Sequence, residues 1–218
     1  MTLPSPPGGA PTSPPSLRPD TLALWRVWHP TSYTPTATTY RDNGPRARFD
    51  PHPPGPPVDH LGGSAVWYGS LLFDTAVRET LARGPLVVDI CSAWRGTLVA
   101  VTRPALFDLT DPAVCAALGA DPALGDTLLD DAGYEPTQAW ARHLKPGSDG
   151  LRYHSARHRN ARGGRHGINY GLWEPARTIM IVAQHRLVDD TLWPHAAAAL
   201  DAAGTAFNLV PDCPSCRA

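Results

Sequence analysis

Apolar and polar positions along the chain recur with two different periods, and each change of period marks an element. Residues 22–28, LALWRVW, alternate with period two, which puts Leu24, Arg26 and Trp28 on one face of a strand and Trp25 and Val27 on the other. A second short strand ends at Trp67-Tyr68, and a turn at Gly69-Ser70 leads into a helix that Gly84-Pro85 stops. In that helix Leu72, Phe73, Ala76, Val77, Thr80 and Leu81 share one apolar arc, while Asp74 and Arg78, four apart, pair on the wet side. Residues 85–91 and 96–103 read as consecutive strands around a turn at 94–96, and 105–111 as a third, short one. Asp111-Pro112 supplies an N-cap and a proline at the first helical position, opening a helix that runs to Leu118. Further helices are predicted over 122–131, 136–144 and 194–203, with strands over 151–153, 168–173 and 177–188. The whole is an α+β pattern whose β-rich half follows the central helix.

Between the first two strands, residues 29–64 follow neither period and are rich in proline and glycine. So long an excursion in a compact domain is a binding element or disordered. Residues 1–20 form a Pro/Gly/Ser tract expected to remain a disordered tail. The folded domain is therefore expected over 22–188, with 189–218 a C-terminal helix and irregular extension.

Composition narrows the possibilities further. A net charge of −1 over 218 residues exerts no general attraction for nucleic acid or membrane. No apolar run approaches the length of a membrane span, and the N-terminus lacks a charged region followed by an apolar one, so a soluble, cytoplasmic protein is expected. Four cysteines do not make a disulfide framework in a chain this long. Cys91 and Cys115 lie in apolar patterns and read as buried thiols, while Cys213 and Cys216 form a lone CPSC. A zinc site needs four ligands, and no second pair has matching spacing, so no metal is expected. Nucleotide-binding glycine motifs and HExxH are absent.

Two residues are out of place on these patterns. Arg26, in mid-strand, needs an anion, which is either a cross-strand carboxylate or a ligand phosphate. Glu79 falls at the shoulder of the apolar arc beside Leu72 and Ala76, where it either pairs with Arg83 at the surface or lines a cleft. Five arginines and three histidines also crowd residues 152–166. That loop is a solvated basic segment, a nucleic-acid patch, or a surface facing a pyrophosphate or an acidic partner.

Taken together, the motifs resemble the RES-domain family, the toxins of RES–Xre toxin–antitoxin pairs, whose name records an arginine, a glutamate and a serine. The matching positions are Arg26 in LWRVW, Glu79 in AVRETL and Ser155 in DGLRYHSARH. Arg48 in the Arg-Phe-Asp-Pro segment, Tyr68 in VWYGS, Asp108-Leu109, Asp149-Gly150 and Asn169 also fit, and the similarity covers about residues 22–186. The proline-rich tail is extra, the segment 31–63 is long, the residues after about 190 have no counterpart, and Asp50 stands where the family usually has asparagine.

The resemblance implies a fold like the ADP-ribosyltransferases of the diphtheria-toxin type, a mixed β core flanked by helices, and an enzyme that consumes NAD⁺ without a metal. On that basis Glu79 stabilises the sugar cation formed as nicotinamide leaves. Arg26 and Arg48 grip the pyrophosphate, Tyr68 stacks on the nicotinamide ring, and Ser155 bonds the ribose or the amide. The acceptor stays open between water, phosphate and a protein side chain. Val77, two positions before Glu79, lacks the acid or amide that many mono-ADP-ribosyltransferases carry there, which favours depletion of NAD⁺. The implied partner is an Xre-like helix-turn-helix antitoxin that plugs the cleft in a multimer, with no direct binding of nucleic acid. A nucleic-acid module acting through the basic loop, and a silent partner-binding member, are the rival readings.

Overall fold

A computed structural model describes residues 3–11, 13–60, 62–82, 86–125, 133–158, 166–174, 178–213 and 216. In chain order the first half contains β1 (Thr21–Trp28), β2 (Asn43–Gly44), β3 (Val58–Asp59), β4 (Val66–Ser70), α1 (Phe73–Leu81), β5 (Val87–Ile90), β6 (Arg95–Thr102) and β7 (Leu106–Asp108). The second half contains α2 (Pro112–Leu118), α3 (Glu135–Leu144), β8 (Gly150–His154), β9 (Ile168–Trp173), β10 (Ile179–Arg186), α4 (Trp193–Asp201) and β11 (Ala206–Leu209). Seven strands form one mixed sheet in the order β10-β6-β1-β4-β9-β8-β7, in which only β7 and β8 run parallel. The expected α+β class, a mixed sheet flanked by helices, is what the chain adopts.

The sheet has a weak seam. Strand β1 is in register with β6 along its whole length, but it meets β4 at a single pair, Trp25 with Ser70. Gly69 makes even that approach possible, since a Cβ there would collide with the Trp67 ring and press on the Trp25 carbonyl. With one pair holding the two strands, the backbone leaves a cleft between β1 and β4, floored by α1. Apolar packing anchors both sides. Phe73, Ala76, Val77 and Leu81 of α1 pack with Leu192, Ala196 and Leu200 around α4, while Phe107, Trp140, Leu144, Leu151 and Trp173 fill the other half. Helix α2 starts as its residues dictate, the Asp111 carboxylate accepting from the Ala113 N–H at 2.8 Å, and ends at Gly119 with φ +70°.

Several expectations change. Residues 85–91 and 96–103 do not form a hairpin, because β5 pairs in parallel with β11 in a separate two-stranded sheet. The C-terminal extension is therefore not irregular throughout, and α4 packs on α1 within one core cluster. Of the helix predicted over 122–131, the described part is a 3₁₀ turn, Pro122–Gly125. Leu72 does not join the apolar arc. It is the extended N-cap residue and is exposed, and Thr75 is buried instead. Asp74 and Arg78 form no ion pair among the described residues, and both Arg83 and the Gly84-Pro85 stop lie outside them.

The proline-rich segment also departs from expectation, being laid along the domain rather than standing off as a tail. Leu3 is buried in the cluster around Trp140, whose indole N–H donates to the Pro4 carbonyl at 2.9 Å. Leu17 exchanges both backbone hydrogen bonds with Leu106. Proline-rich chain has little ordering of its own, but an extended segment leaves carbonyls that a formed scaffold can bind. No described helix is long and apolar enough to cross a membrane.

Candidate active site

Glu79 projects from the last turns of α1 toward the ends of β8 and β9. Ser155, fully buried just after β8, donates its hydroxyl proton to Glu79 Oε1 at 2.6 Å, and the amide of Asn169 in β9 donates to the same oxygen at 2.9 Å. Both donors are themselves fixed. Ser155 Oγ accepts from the backbone N–H groups of Arg157 (3.3 Å) and His158 (3.0 Å), so its lone pairs are occupied and its one proton goes to the carboxylate. Asn169 Oδ1 accepts from Ser70 Oγ at 2.7 Å, which decides the orientation of the amide. His158 is held by Thr75 at 2.8 Å, and burial, reinforced by Arg78, lowers its pKa below the ordinary value.

Across the cleft, Arg26 is buried on β1. Its Nη1 donates to the carbonyls of Ala37 (3.0 Å) and Thr39 (2.9 Å), and its guanidinium lies 5.1 Å from the centre of the Trp67 ring. No carboxylate pairs with it among the described residues. Burial and the neighbouring Arg41 push its pKa down to about 9, which still leaves it charged at neutral pH. Tyr68 lines the same cleft, with its ring against Gly171 and its hydroxyl donating to Asp50 at 2.8 Å. Burial and the Asp50 charge raise its pKa well above 10, so it stays a neutral donor. The cleft has a volume of about 190 Å³, and Arg26, Tyr68, Glu79 and Asn169 all line it.

The RES-domain family model matches residues 23–191. The chain belongs to the RES-domain family. No curated protein matches it in sequence. Among solved structures it is similar to the crystal structure of the M. tuberculosis MbcT–MbcA toxin–antitoxin complex, at 16% identity and a TM-score of 0.49, over 82% of this chain and 90% of that one.

Within this RES domain, the five residues expected at the site do not all face the cleft, which Arg26, Tyr68 and Glu79 line. Ser155 stands behind Glu79 and directs its hydroxyl to the carboxylate, where the resemblance implied a contact with ribose or amide. Arg48 lies away from the cleft wall. Its guanidinium packs over the Phe49 and Tyr153 rings at 5.2 and 4.7 Å, and Nη2 donates to the carbonyls of His154 (2.8 Å) and Gly125 (3.2 Å). It thereby holds the end of β8 that presents Ser155.

The arginine that does line the cleft beside Arg26 is Arg41, from the irregular excursion. It forms a two-pronged ion pair with fully buried Asp50 at 2.6 and 2.8 Å, and Asp50 also accepts from the N–H groups of Arg46 (2.5 Å) and Ala47 (2.9 Å). Asp50, noted only as a departure from the family, is the hub that folds this loop against Tyr68. The one sequence signal for Arg41 is its place near the Arg-Phe-Asp-Pro segment, because pairing across a loop has no period to reveal it.

Residues 159–165 of the basic loop lie outside the described residues. Of the arginines on either side, Arg152 pairs with Asp108 at 2.7 Å, and Arg157 donates to the Ala82 carbonyl just past α1. The cysteines bring the largest correction. Cys91 and Cys115 are buried as expected, yet Cys213 and Cys216 are not a lone pair: with Cys91 and His29 they form a four-residue group.

Proposed function

We propose that this RES-domain protein is the toxin of a toxin–antitoxin pair and acts by cleaving the nicotinamide–ribose bond of NAD⁺. The observation that carries the proposal is a carboxylate, Glu79, that accepts from Ser155 and Asn169 and shares a cleft with a buried arginine that has no carboxylate partner among the described residues. A buried cation without a counter-ion is costly, and a pyrophosphate supplies the missing anion through charge-assisted hydrogen bonds. Breaking the glycosidic bond builds positive charge on the ribose, as in glycoside hydrolysis. Glu79, fixed by Ser155 and Asn169 before substrate arrives, stabilises that charge without reorganising. Nicotinamide is already a fair leaving group, so no strong general acid is needed. Tyr68 offers its ring to the nicotinamide, with its hydroxyl anchored on Asp50. Arg41 adds positive charge near Arg26, while Arg48 acts through the end of β8 rather than on the ligand.

The acceptor we favour is water or phosphate, which makes the enzyme a glycohydrolase or phosphorylase that depletes NAD⁺. Val77, two positions before Glu79, is fully buried in the core and presents nothing to a protein acceptor, so mono-ADP-ribosylation is the second reading. The cognate partner in this proposal is an Xre-like helix-turn-helix antitoxin that covers the cleft, in the cytoplasm. The test is release of nicotinamide from NAD⁺ by purified protein, wild type against Glu79→Gln. The amide keeps the shape and loses the charge, so the rate falls on the order of a hundredfold or more. Equal rates for the two proteins would end the assignment.

A further inference from the structure

We infer that His29, Cys91, Cys213 and Cys216 form a zinc site that fastens the C-terminal segment to the catalytic sheet. Each residue points one ligand atom at a common centre. His29 Nε2 lies 3.4, 3.6 and 3.4 Å from the sulfurs of Cys91, Cys213 and Cys216. The sulfurs are 3.4 Å (Cys91–Cys213), 3.4 Å (Cys91–Cys216) and 3.9 Å (Cys213–Cys216) apart. These six distances are the edges of a tetrahedron. A zinc ion with sulfurs at about 2.3 Å and a nitrogen at about 2.0–2.1 Å requires edges of about 3.8 Å between sulfurs and about 3.6 Å from sulfur to nitrogen.

A disulfide does not account for the cluster, since the sulfur separations far exceed that bond's length of about 2.0 Å. Ordinary hydrogen bonding does not account for it either, because one imidazole nitrogen carries one proton or one lone pair, yet three sulfurs crowd it. The surroundings are those of a ligand set. His29 Nδ1 bonds Thr31 Oγ1 at 2.9 Å, which leaves Nε2 to face the centre, and the Ala93 N–H points to Cys91 Sγ at 3.4 Å. Trp94 packs against the imidazole in a T-shaped contact, ring centres 5.1 Å apart. His29, Cys91 and Cys213 are buried and Cys216 is partly exposed, so ion entry is from the Cys216 side. Four protein ligands leave no open position, which makes the site structural rather than catalytic.

The topology explains why spacing concealed it. Strands β5 and β11 run parallel with Ile90 opposite Leu209, so the segments that follow them leave on the same side. Cys91 is the first residue after β5, and the Val210 N–H still bonds the Ile90 carbonyl. His29 is the first residue after β1, three positions beyond Arg26. The site thus joins three distant stretches at the edge of the strand that carries a cleft residue.

The experiment uses the full chain carrying Glu79→Gln, purified under reducing conditions without chelator, and metals are measured by inductively coupled plasma mass spectrometry. About one zinc per chain is expected. Cys115→Ser, which alters the buried thiol outside the cluster, keeps it, and Cys213→Ser loses it. Cobalt exchanged into the protein shows the visible absorption bands of a tetrahedral thiolate site. Should Cys213→Ser fail to fold, the unsubstituted cluster still decides the matter, because chelation lowers the melting temperature and Zn²⁺, but not Mg²⁺, restores it. Wild-type-cluster protein with no zinc, iron in its place, a Cys213–Cys216 disulfide in non-reduced peptides, or zinc retained by a folded Cys213→Ser would each overturn the proposal. None of these readouts depends on NAD⁺ cleavage.

Discussion

Ser155 sits behind Glu79 rather than in the cleft, and this has a measurable consequence. Ser155→Ala removes the 2.6 Å donor to Glu79 Oε1 and leaves the Asn169 amide as a second donor at 2.9 Å. A hydrogen bond to a charged group is worth about 1.5–3 kcal/mol. At about 1.4 kcal/mol per tenfold, that is about 10–150-fold in kcat, and the surviving Asn169 bond places the result toward the lower end. A serine that acts only through Glu79 touches no substrate, so KM for NAD⁺ stays within about twofold. A double-mutant cycle with nicotinamide release as the assay isolates the coupling. In a Glu79→Gln background there is no carboxylate to orient, and the same serine change should cost little further rate. The substitution also strands the N–H groups of Arg157 and His158, which lowers stability, so melting temperatures are recorded alongside the rates. A large rise in KM, or a cost in kcat that is the same with and without Glu79, would show that the serine acts on the ligand and does not position the carboxylate.

Other substitutions probe the rest of the cleft. Arg26→Gln removes the charge expected to meet the pyrophosphate, so kcat/KM for NAD⁺ should drop by about tenfold or more. The drop should be much smaller for nicotinamide riboside, which carries no phosphate, and equal losses on the two substrates would refute the role. Asp50→Ala strips the acceptor from Arg41, Tyr68 and two backbone N–H groups. Breaking a buried ion pair costs about 3–5 kcal/mol, which for a domain this size is a melting temperature lower by about 6–20 °C; a shift under about 2 °C would deny that Asp50 is the hub of the loop. His52 and His158 both have pKa values lowered chiefly by burial. The unfolded chain then binds protons first as pH falls below about 6.5, so stability is complete above that pH and declines beneath it. Thermal unfolding between pH 7.5 and pH 5.5 should show the decline, and a flat profile would contradict it.

Much of the architecture was legible from pattern, because burial imposes a period. Strand β1 follows it from Thr21 to Trp25, and helix α1 keeps the arc through Phe73, Ala76, Val77 and Leu81, with Leu72 outside it. The two polar residues that violated those periods, Arg26 and Glu79, both face the cleft. Motif order added Tyr68 and Ser155 as candidates and pointed to the family whose model matches residues 23–191. Motif order did not show that Arg48 turns toward the His154 and Gly125 carbonyls, since a short motif does not say which way its arginine turns. It also passed over Arg41, which belongs to a loop whose contacts follow no repeat.

Local pattern thus settled the periods, the caps and the family, and marked Arg26 and Glu79 as out of place without deciding their partners. Which strands became neighbours was settled in three dimensions, and with that everything that depends on distance across the chain. The single register pair between β1 and β4 opened the cleft, and the approach of β8 and β9 to α1 turned Ser155 and Asn169 onto one carboxylate oxygen. The parallel pairing of β5 with β11 brought Cys91 to Cys213 and Cys216, 122 and 125 residues further along. Side-chain period is a property of neighbours a few residues apart, whereas a ligand set is a property of chain ends meeting in space, and no local pattern encodes that meeting.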